Sequence, residues 1–388
     1  MKLVEVLEDK QRKEFLRFPV RLYRHDPNYI RPLDEDIEKV FDPRANKFFR
    51  NGECTRWILL DANGKTIGKV AAFVDWKTAK NNDQPTGGMG FFDCINNQEA
   101  ANKLFLMARD WLMARGMEAM DGPINFGDRD RWWGLLVDGF TPPNYCVPYN
   151  FPYYQKLFEN FGFKNYFEQY TYYTPITDAG LKPGVRERAT RIFRNADYSF
   201  RHIEKKRIGK YAEYFRIIYN KAWVKHSGVK PISKLHAEAL IKSMKPILDE
   251  KLMWFAFYKD EPVAFYLMIP EINQIIRHLN GKMNWWGKIK FLYYKWKGET
   301  DKAFGLIFGV VPDHQGKGVE GAIIMAFAEI ALRPDFGYKD LEMNWIGDFN
   351  PTMMKIAEQV GAKIAKTHIT YRYLFDRNKE FKRANLSG

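Results

Sequence analysis

Residues 306–321 hold the densest run of groups able to handle a phosphate-bearing ligand. An apolar, β-branched stretch, Leu306 to Val311, turns at Pro312-Asp313-His314 and enters Gln315-Gly316-Lys317-Gly318-Val319-Glu320-Gly321. Beyond it Ile323, Ile324, Phe327, Ile330 and Ala331 recur at helical spacing. Strand, glycine loop and helix together suit an anion. The first N–H groups of a helix lack intrahelical partners and lie at the positive end of its dipole. Glycines let the backbone come close to a ligand, and Lys317 adds charge. The spacing is neither G-x-x-x-x-G-K-[ST] nor G-x-G-x-x-G after the strand. A plain strand-to-helix turn is the simpler alternative.

Three further groups of residues could do chemistry. Leu341, Met343 and Trp345 alternate with Glu342 and Asn344, so a strand here puts Glu342 and Asn344 on one face. Glu342 there can take a proton directly or through water, or can be a solvated or paired glutamate. Asn350-Pro351-Thr352 reads as a helix N-cap. Residues 121–150 form a loop too long for a plain connection. Asp128, Arg129, Asp130 and Arg131 in it could bind a polar acceptor closed over by Tyr149 and Asn150, or could form an internal salt-bridged plug. Cys54, Cys94 and Cys146 are scattered without a C-x-x-C pair, so neither a disulfide framework nor a metal site is expected.

The elements that must position these groups fit a folded chain of 388 residues with 46% hydrophobic content, enough for two or three domains. A net charge of +14 attracts acidic partners: nucleic acid, an anionic membrane, or phosphate-bearing ligands. Zinc-finger spacing, RNP aromatics and basic heptads are missing from the sequence, which makes nucleic acid an unlikely partner. No run of 18 apolar residues is seen, and Lys2 to Asp9 alternates like a strand rather than a secretory leader, so a cytoplasmic location is expected.

Hairpins are expected at 57–74 and 253–269, a helix at 97–117, and strands at 89–95, 164–173, 306–311, 341–345 and 364–375. Residues 176–190, polar and carrying Gly180, Pro183 and Gly184, read as a linker between a domain at 1–175 and one at 191–388. The two blocks repeat: Pro152, Lys156, Glu159, Gly162 and Lys164 match Pro351, Lys355, Glu358, Gly361 and Lys363 at a constant displacement of 199, which Tyr172 and Tyr371 share. Within residues 270–303, Trp285, Ile289, Leu292 and Trp296 cluster on a helical wheel with lysines on both flanks, while Phe291 and Tyr294 fall opposite. Core or inter-domain packing is the expected role, with peripheral membrane contact through 283–297 as the alternative.

Gln315-Gly316-Lys317-Gly318-Val319 resembles the acyl-CoA loop of the GNAT acyltransferases, [QR]-x-x-G-x-[GA], with Glu320 where that family has Gly or Ala. The element order resembles the GNAT fold written twice, each copy a mixed, mostly antiparallel α/β sheet flanked by helices. Gly122-Pro123-Ile124-Asn125, Gly134-Leu135-Leu136-Val137-Asp138-Gly139-Phe140 and Pro148-Tyr149-Asn150 resemble signatures of a two-copy bacterial subgroup. The resemblance implies an acyl-CoA-dependent N-acyltransferase, acetyl or longer, acting on a small-molecule or lipid amine. It implies cofactor contacts at Val310, Val311, Gln315, Gly316, Lys317, Gly318, Gly321 and Asn350, with acyl-CoA in a gap between the fourth and fifth strands. The first copy carries Asn96-Asn97-Gln98-Glu99 where that loop would be. The family's tyrosine acid, four residues before the helix-ending glycine, is Ala357 here. This leaves open a non-catalytic acyl-CoA-binding protein, and an aminoacyl transferase using charged tRNA, which the retained loop disfavours.

Overall fold

The computed structural model describes residues 1–81, 84–177, 181–223 and 231–384. Its elements run β1 (Lys2–Glu5), α1 (Asp9–Leu22), α2 (Asp34–Phe41), β2 (Gly52–Leu60), β3 (Thr66–Asp75), β4 (Thr86–Cys94), α3 (Gln98–Met113), β5 (Ala119–Gly122), β6 (Leu135–Asp138), α4 (Tyr154–Phe161) and β7 (Lys164–Pro175). There follow α5 (Pro183–Arg194), β8 (Tyr198–His202), α6 (Ile208–Trp223), α7 (Lys234–Met244), β9 (Met253–Tyr258), β10 (Glu261–Pro270), α8 (Asn273–Ile276), α9 (Trp285–Trp296), β11 (Lys302–Val310), α10 (Val319–Ala331), β12 (Asp340–Gly347), α11 (Pro351–Gln359) and β13 (Lys363–Leu374).

The chain divides into two compact units. Among the described residues, unit 1 holds those within 1–170, 275–293 and 366–384, and unit 2 those within 171–274 and 294–365. In unit 1, β1 to β4 form an antiparallel meander, β5 runs parallel to β4, and β13 pairs antiparallel with β5. Alternating apolar residues of β3 and β4 face α3 and α4, and Phe92, Phe105, Phe158 and Phe163 interlock there with ring centroids 4.7–5.2 Å apart. Unit 2 repeats the order. β8 to β11 are antiparallel, β12 is parallel to β11, and the 171–175 segment of β7 follows. By sequence, therefore, the later part of each copy's last strand, 171–175 in β7 and 366–374 in β13, belongs to the unit built from the other copy.

Among the elements not evident in the sequence are α2, β6 and α5. α2 carries Asp34, Glu35 and Asp36 in its first turn and buries only Ile37 and Val40, too few to show a period. β6 lies in the long loop and pairs with β13. Residues 183–190 of the segment read as a linker begin α5, with Pro183 in the first turn and Ala189 as its one buried residue. Gly180 of that segment lies outside the described residues.

Candidate active site

Unit 2 has a parting between two parallel strands. β11 and β12 pair from Lys302↔Asp340 to Gly305↔Met343, after which β11 continues to Val310 and β12 to Gly347 without further pairing. The cause lies on the other edge of β11. Leu267 faces Ile307 while Met268 faces Gly305, so Leu306 is an extra residue, a bulge that bends the strand where β12 leaves it. Beyond the bulge the amide directions can be assigned. Val311 N–H donates to Val263 O at 2.9 Å, so the alternation of an antiparallel ladder turns the amide of Val310, opposite Ala264, toward the parting. Of the two strand-end residues named as implied cofactor contacts, Val311 has its N–H occupied within the sheet, while that of Val310 points away from β10. The Gln315 side chain donates to Val310 O at 2.9 Å and ties the loop to this point.

The glycines of the loop divide into two roles. Gly316 (φ +70°) has open space where a Cβ would stand. Gly318 (φ +103°) would put a Cβ 2.9 Å from the Arg188 backbone, and Gly321 would put one 2.8 Å from Ala189 Cβ. These two glycines admit α5 against the start of α10, a packing role that the motif alone does not reveal. Lys317 is exposed. Glu320 turns back so that its carboxylate accepts from Gly316 N–H at 3.1 Å, placing an anion in the loop.

Glu342 is buried, 2% exposed. Its Oε2 pairs with Lys302 Nζ and its Oε1 accepts from Thr171 at 2.9 Å. Both partners went unnoticed in the sequence. Lys302 stands two residues before Phe304, the register partner of Glu342, and Thr171 comes with the strand from the first copy. Asn344 is half-buried and its Oδ1 accepts from Trp345 N–H at 2.9 Å. Asn350 caps α11, accepting from Met353 N–H at 3.1 Å. His314 is more than a turn residue: its Nδ1 meets the Tyr198 hydroxyl at 2.7 Å, and burial, then Lys317, hold its pKa below the ordinary histidine value.

The equivalent place in unit 1 is filled. β4 and β5 part after Gly88↔Asp121, but Ile124 N–H then donates to Met89 O at 2.8 Å, and a Cβ on Gly90 would lie 1.8 Å from Ile124 O. Asn97 N-caps α3 through Ala100 N–H at 2.8 Å, in place of a glycine loop. The six residues expected at an acceptor site, Asp128 to Arg131, Tyr149 and Asn150, lie in this unit. Asp128 forms an exposed ion pair with Lys47 at 3.0 Å, and Arg129 lies over the Trp133 ring at 5.6 Å. The Tyr149 hydroxyl donates to Asp26 at 2.7 Å. Asn150 exchanges two 2.9 Å bonds with the Leu136 backbone and donates to Phe151 O, so its amide holds the loop. Among the described residues no group of three or more His, Cys, Asp or Glu is arranged to hold a metal, and no helix is long and apolar enough to cross a membrane.

A sheet of this order, parted between its two parallel strands with a loop and helix following the first of them, is the GNAT fold, and this chain carries it twice. A tandem GNAT protein from the clavulanic acid biosynthesis pathway superposes with a TM-score of 0.56 at 10% identity, over 97% of this chain and 99% of that one. The glucosamine N-acetyltransferase region of a fungal multi-domain β-N-acetylglucosaminidase gives 0.55 at 12% identity, over 96% of this chain and 38% of that one. By sequence, the chain is 29% identical over 382 residues to a bacterial ceramide synthase of Caulobacter vibrioides, covering 96% of this chain and 97% of the relative. It is 26% identical over 363 residues to protein YghO of Escherichia coli K12, covering 92% of each. No family model matches.

Proposed function

We propose that the chain is an acyl-CoA-dependent N-acyltransferase whose second copy, 191–388, holds the acyl-CoA and whose first, 1–175, is degenerate. The observation that carries this reading is the parting of β11 from β12 at the Leu306 bulge, with the Val310 amide turned into it. A thioester carbonyl lying there would receive the Val310 N–H as its charge develops. The amine nitrogen bonds to the carbonyl carbon, the C–S bond breaks, and coenzyme A leaves as thiolate. Glu342, held by Lys302 and Thr171, takes the amine proton directly or through water. Asn344 lies on the same strand face. Gln315, Gly316 and Lys317 face the diphosphate, with Gly318, Gly321 and Asn350 shaping the backbone around them. The relative named a bacterial ceramide synthase favours a long acyl chain and a lipid amine. Acyl-CoA is an intracellular substrate, which suits the cytoplasm.

The second reading is a non-catalytic acyl-CoA-binding protein. It is favoured by Ala357, buried and without a hydroxyl, and by the Glu320 carboxylate on Gly316. Thermal stabilisation by CoA, acetyl-CoA and a long-chain acyl-CoA separates the readings when combined with thiol release across an amine panel that includes long-chain amino alcohols. Lys317→Glu is the control, because a side chain at Gly318 would strike Arg188 and disturb α5. No shift with any ligand removes both readings. A shift without thiol release leaves the second.

A further inference from the structure

α9 has two apolar sides. Gly287 and Phe291 are buried, while Trp285, Trp286, Ile289, Leu292, Tyr293 and Trp296 are exposed, Trp285 by 68% and Trp296 by 83%. At 3.6 residues per turn those six share about a third of the helix circumference, opposite the buried side. Lys288 borders this face along one edge, where the neighbouring Lys295 ammonium donates to Pro246 O at 2.7 Å, and Lys290 and Lys297 border it along the other. No Asp or Glu occurs between Asn284 and Gly298. Phe291, which argued against an amphipathic helix in the sequence, is the residue that anchors it.

We propose that α9 docks the protein on an anionic phospholipid bilayer, lying in the interface with its tryptophan face among the headgroups and Lys288 and Lys290 against lipid phosphates. Tryptophan and tyrosine favour that boundary, and lysine stems cover apolar surface while their charges reach the headgroups. An exposed apolar face of this size is costly in water and needs a cover. A second copy is a poor cover, because two such faces would bring like-charged lysine edges together on chains of net charge +14. An anionic bilayer offers both an apolar phase and the opposite charge. The proposal extends the lipid-amine reading but does not depend on turnover.

The test is co-sedimentation of the full chain with phosphatidylcholine vesicles, with and without phosphatidylglycerol. The wild type is expected to bind the phosphatidylglycerol vesicles and to be released by salt. Trp285→Ser/Trp296→Ser and Lys288→Glu/Lys290→Glu should each lower partitioning about tenfold or more. Their melting temperatures and CoA-induced stabilisation should stay at wild-type values, since the altered side chains are exposed. Failure of the wild type to bind the acidic vesicles overturns the proposal, as does binding that survives both double variants. Light scattering showing a wild-type dimer that Trp285→Ser/Trp296→Ser makes monomeric, with no vesicle binding, assigns the face to self-association and also overturns it. Lost CoA stabilisation with intact vesicle binding counts against the acyltransferase reading alone.

Discussion

The Tyr371 hydroxyl donates to the Glu159 carboxylate at 2.9 Å, joining residues 212 positions apart within one unit. The counterpart pair by the constant displacement is Tyr172 and Glu358, in the other unit. There the tyrosine is also buried, 1% exposed, and burial followed by Glu358 raises its pKa, but its hydroxyl has no hydrogen-bond partner among the described residues. The repeated Glu and Tyr thus mark the exchanged strands. The two pairs predict opposite results. Tyr371→Phe should cost about 1 kcal/mol, a lost hydrogen bond to a charged group near the surface. Tyr172→Phe should be neutral or stabilising by up to about 1 kcal/mol, because it removes an unsatisfied polar atom. Urea unfolding followed separately for each unit by hydrogen exchange reads both.

Glu320 holds the Gly316 N–H that a diphosphate would claim. Glu320→Gln keeps a hydrogen-bond acceptor but removes the repulsion. The expected result is CoA binding about threefold to tenfold tighter by calorimetry, with the gain shrinking as salt rises. An unchanged affinity would mean that the diphosphate does not lie on this loop.

Much of the fold was legible where burial imposes a period: the hairpins, α3, α10 and the strand–loop–helix of the second copy. α5 and α2 were not, because helices that bury one or two residues leave no stripe to read. The loop and Glu342 could be singled out as candidates in the sequence, but what surrounds Glu342 could not. Thr171 and Lys302 reach Glu342 by strand exchange and cross-strand register, which a linear reading does not display. The packing of Gly318 against α5 was hidden for a related reason. A glycine that approaches a ligand and one that approaches a neighbouring helix look alike in sequence, and only the Arg188 backbone beside it distinguishes them.

In unit 1, Lys69 and Asp93 form a buried pair at 3.2 Å, and Tyr23 donates to Asp93 at 2.9 Å. Burial lowers the lysine pKa and raises the aspartate's. Lys69→Met leaves the carboxylate uncompensated and should cost about 3–5 kcal/mol in denaturant melts. Lys69→Met/Asp93→Asn keeps an acceptor for Tyr23 and should recover most of that loss.

The lowered pKa of His314 gives unit 2 a pH dependence of definite sign. Burial and Lys317 favour the neutral ring in the folded state, so as pH falls below about 6.5 the unfolded chain takes the proton first. Stability contributed by the neutral ring is full above that value and lost as pH drops through the folded pKa. The melting temperature of the wild type should therefore fall more steeply between pH 7 and pH 5, on the order of those bounds, than that of His314→Gln. Parallel slopes would remove His314 from the account.

Glu342 distinguishes a base from a buried strut. Glu342→Gln preserves the shape of the side chain and an acceptor for Thr171, but leaves Lys302 facing an uncharged amide. If Glu342 takes the amine proton, kcat should fall about 10²–10⁴-fold while KM for acyl-CoA holds, and the acid limb of the pH–rate profile should disappear. A purely structural Glu342 would instead lower the melting temperature and leave the profile of the folded enzyme unchanged. Lys302→Met separates these outcomes further. It strips the charge partner and should destabilise unit 2 under either role. Only with a catalytic carboxylate should it also lower kcat of the folded enzyme, because Lys302 no longer holds Glu342 in place.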